Sequence, residues 1–351
     1  MQLHNITMAA EKSQPSHLPV HPKYLHEDDD LSPECKDLIA MLPTESGWIN
    51  KWIHQYDGFW LTTNQLQGTL NCQKYFQAHD SDIILVTSPK AGTTWLKALV
   101  FTILNRKTHD PNPQLDPTQT CHLHPLLTTN PHDLVPFLET VLYLQTTMPD
   151  LSSFPSPRLF ATHLPYDLLP ESVKQARCKI VYLCRNPKDQ FVSMWHFANK
   201  LRPESRGLIG IEDSFDKFCQ GKIGFGPFWD HILGYYKESL ERPEKTMFLS
   251  FEELKGEPFK VLKDLAEFIG SGFSEDEENN NFVENILKLC SFENLSNLEV
   301  NKNGKVWTGI ETKTYFRRGE VGDSKNFLTS DMIERLNLIS QEKLGKHGFK
   351  F

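Results

Sequence analysis

The chain has 351 residues, and 37 Lys and Arg against 45 Asp and Glu leave a formal net charge of −8. Its 39% hydrophobic and 23% charged residues suit a globular protein that buries a core, and its 23 Phe and 7 Trp argue against disorder. The acidic balance excludes nucleic acid as a default partner, since phosphate neutralisation needs a basic surface, and no apolar run reaches the roughly 20 residues of a membrane span.

In chain order, Met1 to Asp30 is polar and ends in the acidic run Glu27-Asp28-Asp29-Asp30. It carries neither an apolar signal-peptide core nor an Arg-rich transit pattern, so the cytoplasm is the expected location. Residues 1–40 are expected to form a flexible N-terminal tail and 41–351 a single domain, since no linker or internal repeat divides them. The seven cysteines (Cys35, Cys72, Cys121, Cys178, Cys184, Cys219 and Cys290) are scattered and never form a CxxC pair. They read as free thiols in a reducing compartment, and no metal site is expected.

Four short apolar, β-branched runs read as buried parallel strands: Ile83 to Thr87, Leu159 to Thr162, Lys179 to Leu183 and Thr246 to Ser250. Helical patterns follow at Thr94 to Leu104, Asp189 to Lys200, Pro227 to Leu240 and Phe259 to Ile269. A last helix, with Ser330 as its cap, carries Ile333, Leu336 and Ile339. The alternation predicts an α/β fold, a central parallel sheet flanked by helices, with its ligand beyond the carboxyl ends of the strands. The acidic stretch Glu275 to Asn281 reads as a solvated loop or a helix start.

At the end of the first of these strands stands Thr87-Ser88-Pro89-Lys90-Ala91-Gly92-Thr93-Thr94-Trp95, which opens a helix. Such a strand-loop-helix presents backbone N–H groups and a positive dipole end to an anion. Gly92 permits close approach, the threonines add donors and Lys90 adds a full charge. The element is P-loop-like without being GxxxxGK[ST]: it has one glycine, its lysine precedes that glycine, and no Lys-Ser/Thr step is left for Mg²⁺.

Two further elements suit an anion. Arg185-Asn186-Pro187-Lys188 follows the third strand, with Ser193 on the first or second turn of the next helix. Phe316-Arg317-Arg318-Gly319-Glu320-Val321-Gly322-Asp323 reads as a Gly-spaced basic lid. A guanidinium fork and a hydroxyl can converge on one phosphate.

Together, in order and spacing, the three elements resemble the cofactor signatures of the cytosolic sulfotransferases, the plant branch in particular. The likeness runs from about Leu42 to Phe351. It includes Phe225-Gly226-Pro227-Phe228-Trp229 and Leu289-Cys290-Ser291-Phe292-Glu293-Asn294-Leu295, and most resembles the plant flavonoid and steroid sulfotransferases, with the hydroxyjasmonate enzymes similar too. It implies 3′-phosphoadenosine 5′-phosphosulfate (PAPS) as sulfuryl donor, with no metal. Lys90, Ala91, Gly92, Thr93, Thr94 and Trp95 would hold the phosphosulfate end, with the Trp95 indole against adenine. Arg185, Ser193, Arg317, Arg318 and Gly319 would hold the 3′-phosphate. His163, in Ala161-Thr162-His163-Leu164-Pro165, would take the acceptor proton, and Lys90 would stabilise the departing oxygen.

The sequence departs from the family at several points. Ala161 stands where animal members carry Lys, Phe251 replaces an adenine-contacting Tyr, and Gly322-Asp323-Ser324-Lys325 replaces GDWK. The dimer motif is imperfect at Lys325, Thr329, Ser330 and Glu334, so a monomer or weak homodimer is expected. Two other readings remain: a P-loop small-molecule kinase, and a sulfotransferase-like binding protein without turnover. The acceptor, a small hydroxyl compound, is expected to lie among walls around Trp60, His122 to His132, Phe137 and Phe225 to Phe228, mostly apolar. A flavonol, steroid, phenol or hydroxylated fatty-acid derivative would suit them.

Overall fold

The four apolar runs pair into one parallel sheet in a computed structural model that describes residues 31–112, 123–144 and 148–351. Its strands are β4 (Ile83–Thr87), β5 (Leu159–Thr162), β6 (Lys179–Cys184) and β7 (Thr246–Ser250), in the order β5-β4-β6-β7. Alternating side chains point to opposite faces of a strand, and each face has its own core. Ile84, Val86, Phe160, Ile180 and Tyr182 pack on one side; Ile83, Leu85, Ala161, Val181 and Leu183 pack on the other. In register, Val86 faces Thr162 and Thr87 faces Leu183, so Thr87, Thr162 and Cys184 end on one rim. That rim carries the chemistry.

Helices cover both faces at Thr93–Asn105, Pro187–Leu201, Phe228–Glu241 and Pro258–Phe268, within one or two residues of the expected bounds. The helix at Pro187 starts two residues early because Asn186 caps it through the Lys188 N–H and Pro187 occupies the first turn. Near the C-terminus the cap is Thr329, whose hydroxyl accepts from Met332, so Ser330 is the first helical residue and not the cap. The acidic stretch starts a short helix, Glu275–Asn279, capped by Ser274.

Two features were not anticipated. An antiparallel sheet, β1 (Thr44–Ser46), β2 (Trp52–Tyr56) and β3 (Phe59–Thr62), precedes the parallel one. Its β2–β3 hairpin turns through Asp57 and Gly58, both at positive φ, an Asp-Gly signal lost among the surrounding aromatics. The boundary at residue 40 also needs correction. Pro33–Ile39 is helical, capped by Ser32, and buries Cys35 against the core, while the Ser32 N–H donates to Gln67 at 2.7 Å. Residues 1–30 lie outside the described residues. The six described cysteines are unpaired, and Cys121 lies outside.

Candidate active site

The loop after β4 is bent by two residues in the left-handed region, Lys90 at φ 71° and Gly92 at φ 117°. A Cβ on Gly92 would lie 2.9 Å from Phe251 and 3.1 Å from Leu183, so conformation and space both require glycine there. Gly92 is also the N-cap of Thr93–Asn105, and no side chain caps that turn. The N–H groups of Thr93 and Thr94 are therefore left without an intrahelical acceptor, while that of Trp95 bonds the Gly92 carbonyl at 3.0 Å. Neighbours brace the loop: Gln190 donates to Ser88 Oγ at 2.6 Å and to the Pro89 carbonyl at 2.8 Å, and the Thr87 and Thr93 hydroxyls lie 2.7 Å apart.

One cavity of about 1320 Å³ gathers the expected residues. Lys90, Gly92, Thr93, Thr94, Trp95, His163, Arg185, Ser193, Arg317, Arg318 and Gly319 all line it. Ala91 does not: it is fully buried and its N–H is engaged by the Ser88 carbonyl. Lys90 stands 4.1 Å from the Phe197 ring, and burial, helped by Arg185, Lys200 and Arg317, lowers its amine to about 7.

His163 begins just past β5. Its Nδ1 lies 2.6 Å from the Thr87 carbonyl oxygen, which can only accept, so Nδ1 carries the hydrogen and Nε2 keeps the lone pair. The backbone is held from both sides. Glu139 accepts the His163 N–H at 2.8 Å and the Thr162 hydroxyl at 2.7 Å, while His231 Nε2 donates to the His163 carbonyl at 2.9 Å. Tyr182 lies 2.9 Å from the other His231 nitrogen. Burial lowers the His163 imidazole to about 3, although its bond to Thr87 opposes the shift. The residue is neutral over the whole physiological range.

Arg185 is 5% exposed, well inside the fold. Its guanidinium lies 4.5 Å over the Phe251 ring, which meets Trp95 edge-on at 5.7 Å. Arg317 and Arg318 both pair with Asp323, with Arg317 at 2.5 Å. Asp189 accepts the N–H groups of Gly322 at 2.6 Å and Ser324 at 2.8 Å, and Arg185 donates to the Glu320 carbonyl at 2.6 Å. The basic loop is thus fastened to the Pro187–Leu201 helix through backbone bonds that Ser324 supplies as well as any residue would. The Nε atoms of Arg185 and Arg317 and the Trp95 Nε1 are buried without a hydrogen-bond partner among the described residues. Buried donors of this kind are normally satisfied, so their arrangement fits an anionic, hydrogen-bonding occupant.

On the other side of His163 the cavity is apolar. Phe137 and Phe225 flank the imidazole with centroids at 4.5 and 5.4 Å, and Ile49, Leu142, Met194 and Leu201 extend the wall. Trp60 and Phe228 are buried away from it. Trp60 acts through its backbone, which exchanges two 2.7 Å bonds with Phe225 and Gly226. His122 lies outside the described residues. Glu139, His231, Gln190, Asp189 and Asp323 escaped the sequence reading, because a lone acid or one of 14 histidines carries no local signal.

A sulfotransferase domain matches residues 80–348 of this chain. "Cytosolic sulfotransferase 12" of Arabidopsis thaliana is 52% identical over 330 residues, covering 94% of this chain and 97% of that protein. "Cytosolic sulfotransferase 15" of the same plant is 47% identical over 325 residues, covering 93% and 89%. A crystal structure of an Arabidopsis thaliana protein described as a candidate steroid sulphotransferase superposes with TM-score 0.70 at 45% identity, covering 92% of this chain and 98% of that one. A mouse sulfotransferase complexed with PAP shares the fold, at TM-score 0.60 and 24% identity over 83% of this chain and 94% of that one. With the domain spanning more than half its length and relatives near half identity across most of it, the chain belongs to the sulfotransferase family.

Proposed function

We propose that this sulfotransferase takes its sulfuryl group from PAPS, in the cytosol, and delivers it to the hydroxyl of a small lipophilic or phenolic acceptor. The observation that carries the reading is one cavity joining an uncapped helix N-terminus, Lys90, Arg185, Arg317 and Arg318 to a neutral imidazole whose Nε2 is left open. The bound donor supplies an electrophilic sulfur with a phosphate oxygen as leaving group. The loop from Lys90 to Thr94 holds that end, while Arg185, Ser193, Arg317, Arg318 and the Gly319 backbone take the 3′-phosphate. Trp95 and Phe251 offer ring faces to adenine; Phe251 lacks a hydroxyl, at a cost of about 1 kcal/mol for the missing bond.

His163 Nε2 accepts the acceptor's hydroxyl proton as the oxygen attacks sulfur in line. Lys90 and the loop N–H groups oppose the charge that gathers on the leaving oxygen. Phe137 and Phe225 exclude water around the imidazole and press a flat or apolar acceptor toward it. A flavonoid, a steroid or a hydroxyjasmonate fits such walls. The names of the relatives and the PAP held by the mouse structure support the same donor and compartment.

The test is sulfation by the purified chain with labelled PAPS against labelled ATP, with and without EDTA, over a panel of flavonols, sterols and hydroxylated fatty-acid derivatives. EDTA-resistant sulfate transfer is expected. Phosphate transfer from ATP that EDTA abolishes would replace this reading with a kinase, and donor binding without turnover on any acceptor would leave a binding protein.

A further inference from the structure

The Thr93–Asn105 helix buries a lysine that the chemistry above does not use. Lys97, one turn past the loop, is 0% exposed. Its Nζ lies 3.2 Å from His132 Nδ1 and 3.3 Å from the centroid of the Phe137 ring. The opposite nitrogen, His132 Nε2, lies 2.9 Å from Thr94 Oγ1. Both Thr94 and His132 line the cavity. An amine taken fully out of water costs several kcal/mol unless its surroundings compensate, so its retention calls for a reason.

The orientation of His132 is over-determined. Its ring lies between Phe137, stacked at 5.6 Å, and Tyr315 at 4.2 Å. Its N–H donates to Asn130 Oδ1 at 2.8 Å, and Asn130 in turn donates to Asn301 at 2.8 Å. The imidazole cannot swing away from either Lys97 or Thr94 without breaking that packing.

Hydrogen-bond chemistry then gives the chain a direction. A neutral imidazole donates through one nitrogen and accepts through the other. Lys97 Nζ sits 3.3 Å over the Phe137 ring face, a contact that favours its ammonium form; that form has no lone pair, so it donates to Nδ1 and Nε2–H is left to donate to Thr94. The Thr94 oxygen is occupied as an acceptor, which frees its hydrogen for the cavity. Burial is the largest influence on the Lys97 amine and pushes it well down; the Glu139 and Asp133 carboxylates act against it, as do the Phe137 face and any anion in the cavity. Run the other way, the chain would tie up the Thr94 hydrogen and aim its lone pairs at an anion.

We propose that Lys97 and His132 are positioning residues: a one-way series of donors, Lys97 to His132 to Thr94, makes the Thr94 hydroxyl an obligate donor to the phosphosulfate. The proposal rests on the PAPS reading above. No proton changes hands. Each bond polarises the next, so the last one strengthens as charge builds on the leaving oxygen.

The test is a double-mutant cycle on turnover with PAPS. Lys97→Met and His132→Phe, the latter keeping a ring between Phe137 and Tyr315, are each expected to lower kcat roughly 10- to 100-fold, the worth of a hydrogen bond to a charged group. Acceptor KM should not move. In a Thr94→Val background the same substitutions should change kcat by no more than about threefold, because the group they act through is gone. An undiminished loss in that background, or no loss in the first, overturns the proposal. Should either variant fail to fold by circular dichroism, ¹⁵N histidine shifts of the wild-type chain with PAP decide it. His132 must show a bare Nδ1 and a protonated Nε2, and the opposite tautomer overturns the proposal. Wild-type turnover from PAPS reads the donor assignment separately, whichever way the cycle falls.

Discussion

The His163 imidazole donates its Nδ1–H to the Thr87 carbonyl across 2.6 Å, joining the ends of two neighbouring strands, β5 and β4. One bond therefore settles the tautomer, the direction of Nε2 and the distance of that nitrogen from the loop that starts at Ser88. A histidine on a free loop would have none of the three.

Replacing His163 by Ala is expected to lower kcat on an alcohol acceptor by roughly 10²–10⁴-fold, the usual worth of a positioned base. The PAP dissociation constant should be unchanged. Kinetics and calorimetry on the same preparation check both. Turnover within a few-fold of wild type would require another route for the proton.

The acidic limb of the wild-type pH profile should be missing above pH 5. With an ordinary histidine near 6.5, activity would fall on going from pH 7 to 5. Burial places His163 at about 3, so the base stays unprotonated across that interval. Measuring kcat for a non-ionising acceptor from pH 5 to 8 checks it; a limb with a midpoint near 6.5 contradicts the geometry.

Donor binding should take up a proton. In the free chain Lys90 sits at about 7, held down by burial and by Arg185, Lys200 and Arg317. At pH 8 it is mostly neutral, and an anion placed against it favours the ammonium. Calorimetric titration with PAP at pH 8, in two buffers of different ionisation enthalpy, should show an uptake that Lys90→Met removes. Identical heats in both buffers would contradict it.

The grip on the 3′-phosphate can be separated from the rest of the nucleotide. Arg185→Ala, Arg317→Ala and Arg318→Ala should weaken PAP binding while leaving the weaker binding of adenosine 5′-phosphate nearly unchanged. Asp189→Asn, which slackens the bonds to Gly322 and Ser324, should weaken PAP by roughly tenfold, the worth of one charge-assisted hydrogen bond. Equal losses for both nucleotides would move the arginines to another part of the ligand.

Mild acid should destabilise the fold. Burial lowers His124 and His231 to about 4 and His163 to about 3, and pushes His132 down as well. Below about 6.5 the unfolded chain binds protons that the folded chain refuses, so stability falls with pH from 6.5 toward 4. Each fully shifted histidine contributes about 2 kcal/mol of loss between pH 6.5 and 5. Glu139, Asp133 and Glu252, raised by burial, act in the opposite sense and offset part of it. The melting temperature should therefore drop from pH 7 to pH 5, and a rise would contradict the balance.

The parallel sheet, its covering helices and the anion loop were legible in the sequence because each is written locally. Continuous apolar runs such as Ile83 to Thr87 mark strands buried on both faces, and a glycine between such a strand and a helix marks the turn. Lys90, the threonines and Arg185 could be placed on one rim because each follows the end of a strand, whereas the Arg317–Arg318 loop joined them only through the family resemblance. The antiparallel hairpin was missed because its Asp57-Gly58 turn is short and its strands are neither strictly alternating nor uniformly apolar.

Other properties came only from tertiary structure, because they depend on what lies opposite a residue after folding. The family resemblance suggested a base at position 163; that it is neutral follows from its burial, and that Nε2 is the open nitrogen follows from Thr87, 76 residues away in the chain. Likewise Asp189 reaches Gly322 and Ser324 across more than 130 residues, and nothing near Ser324 in sequence announces that its N–H has a partner. Lys97 looks like an ordinary exposed helical lysine until the fold lays Phe137 and His132 against it. The local pattern carries backbone conformation and hydrophobic side; charge state, tautomer and hydrogen-bond direction are set by burial and by the facing group, and those exist only once distant segments meet.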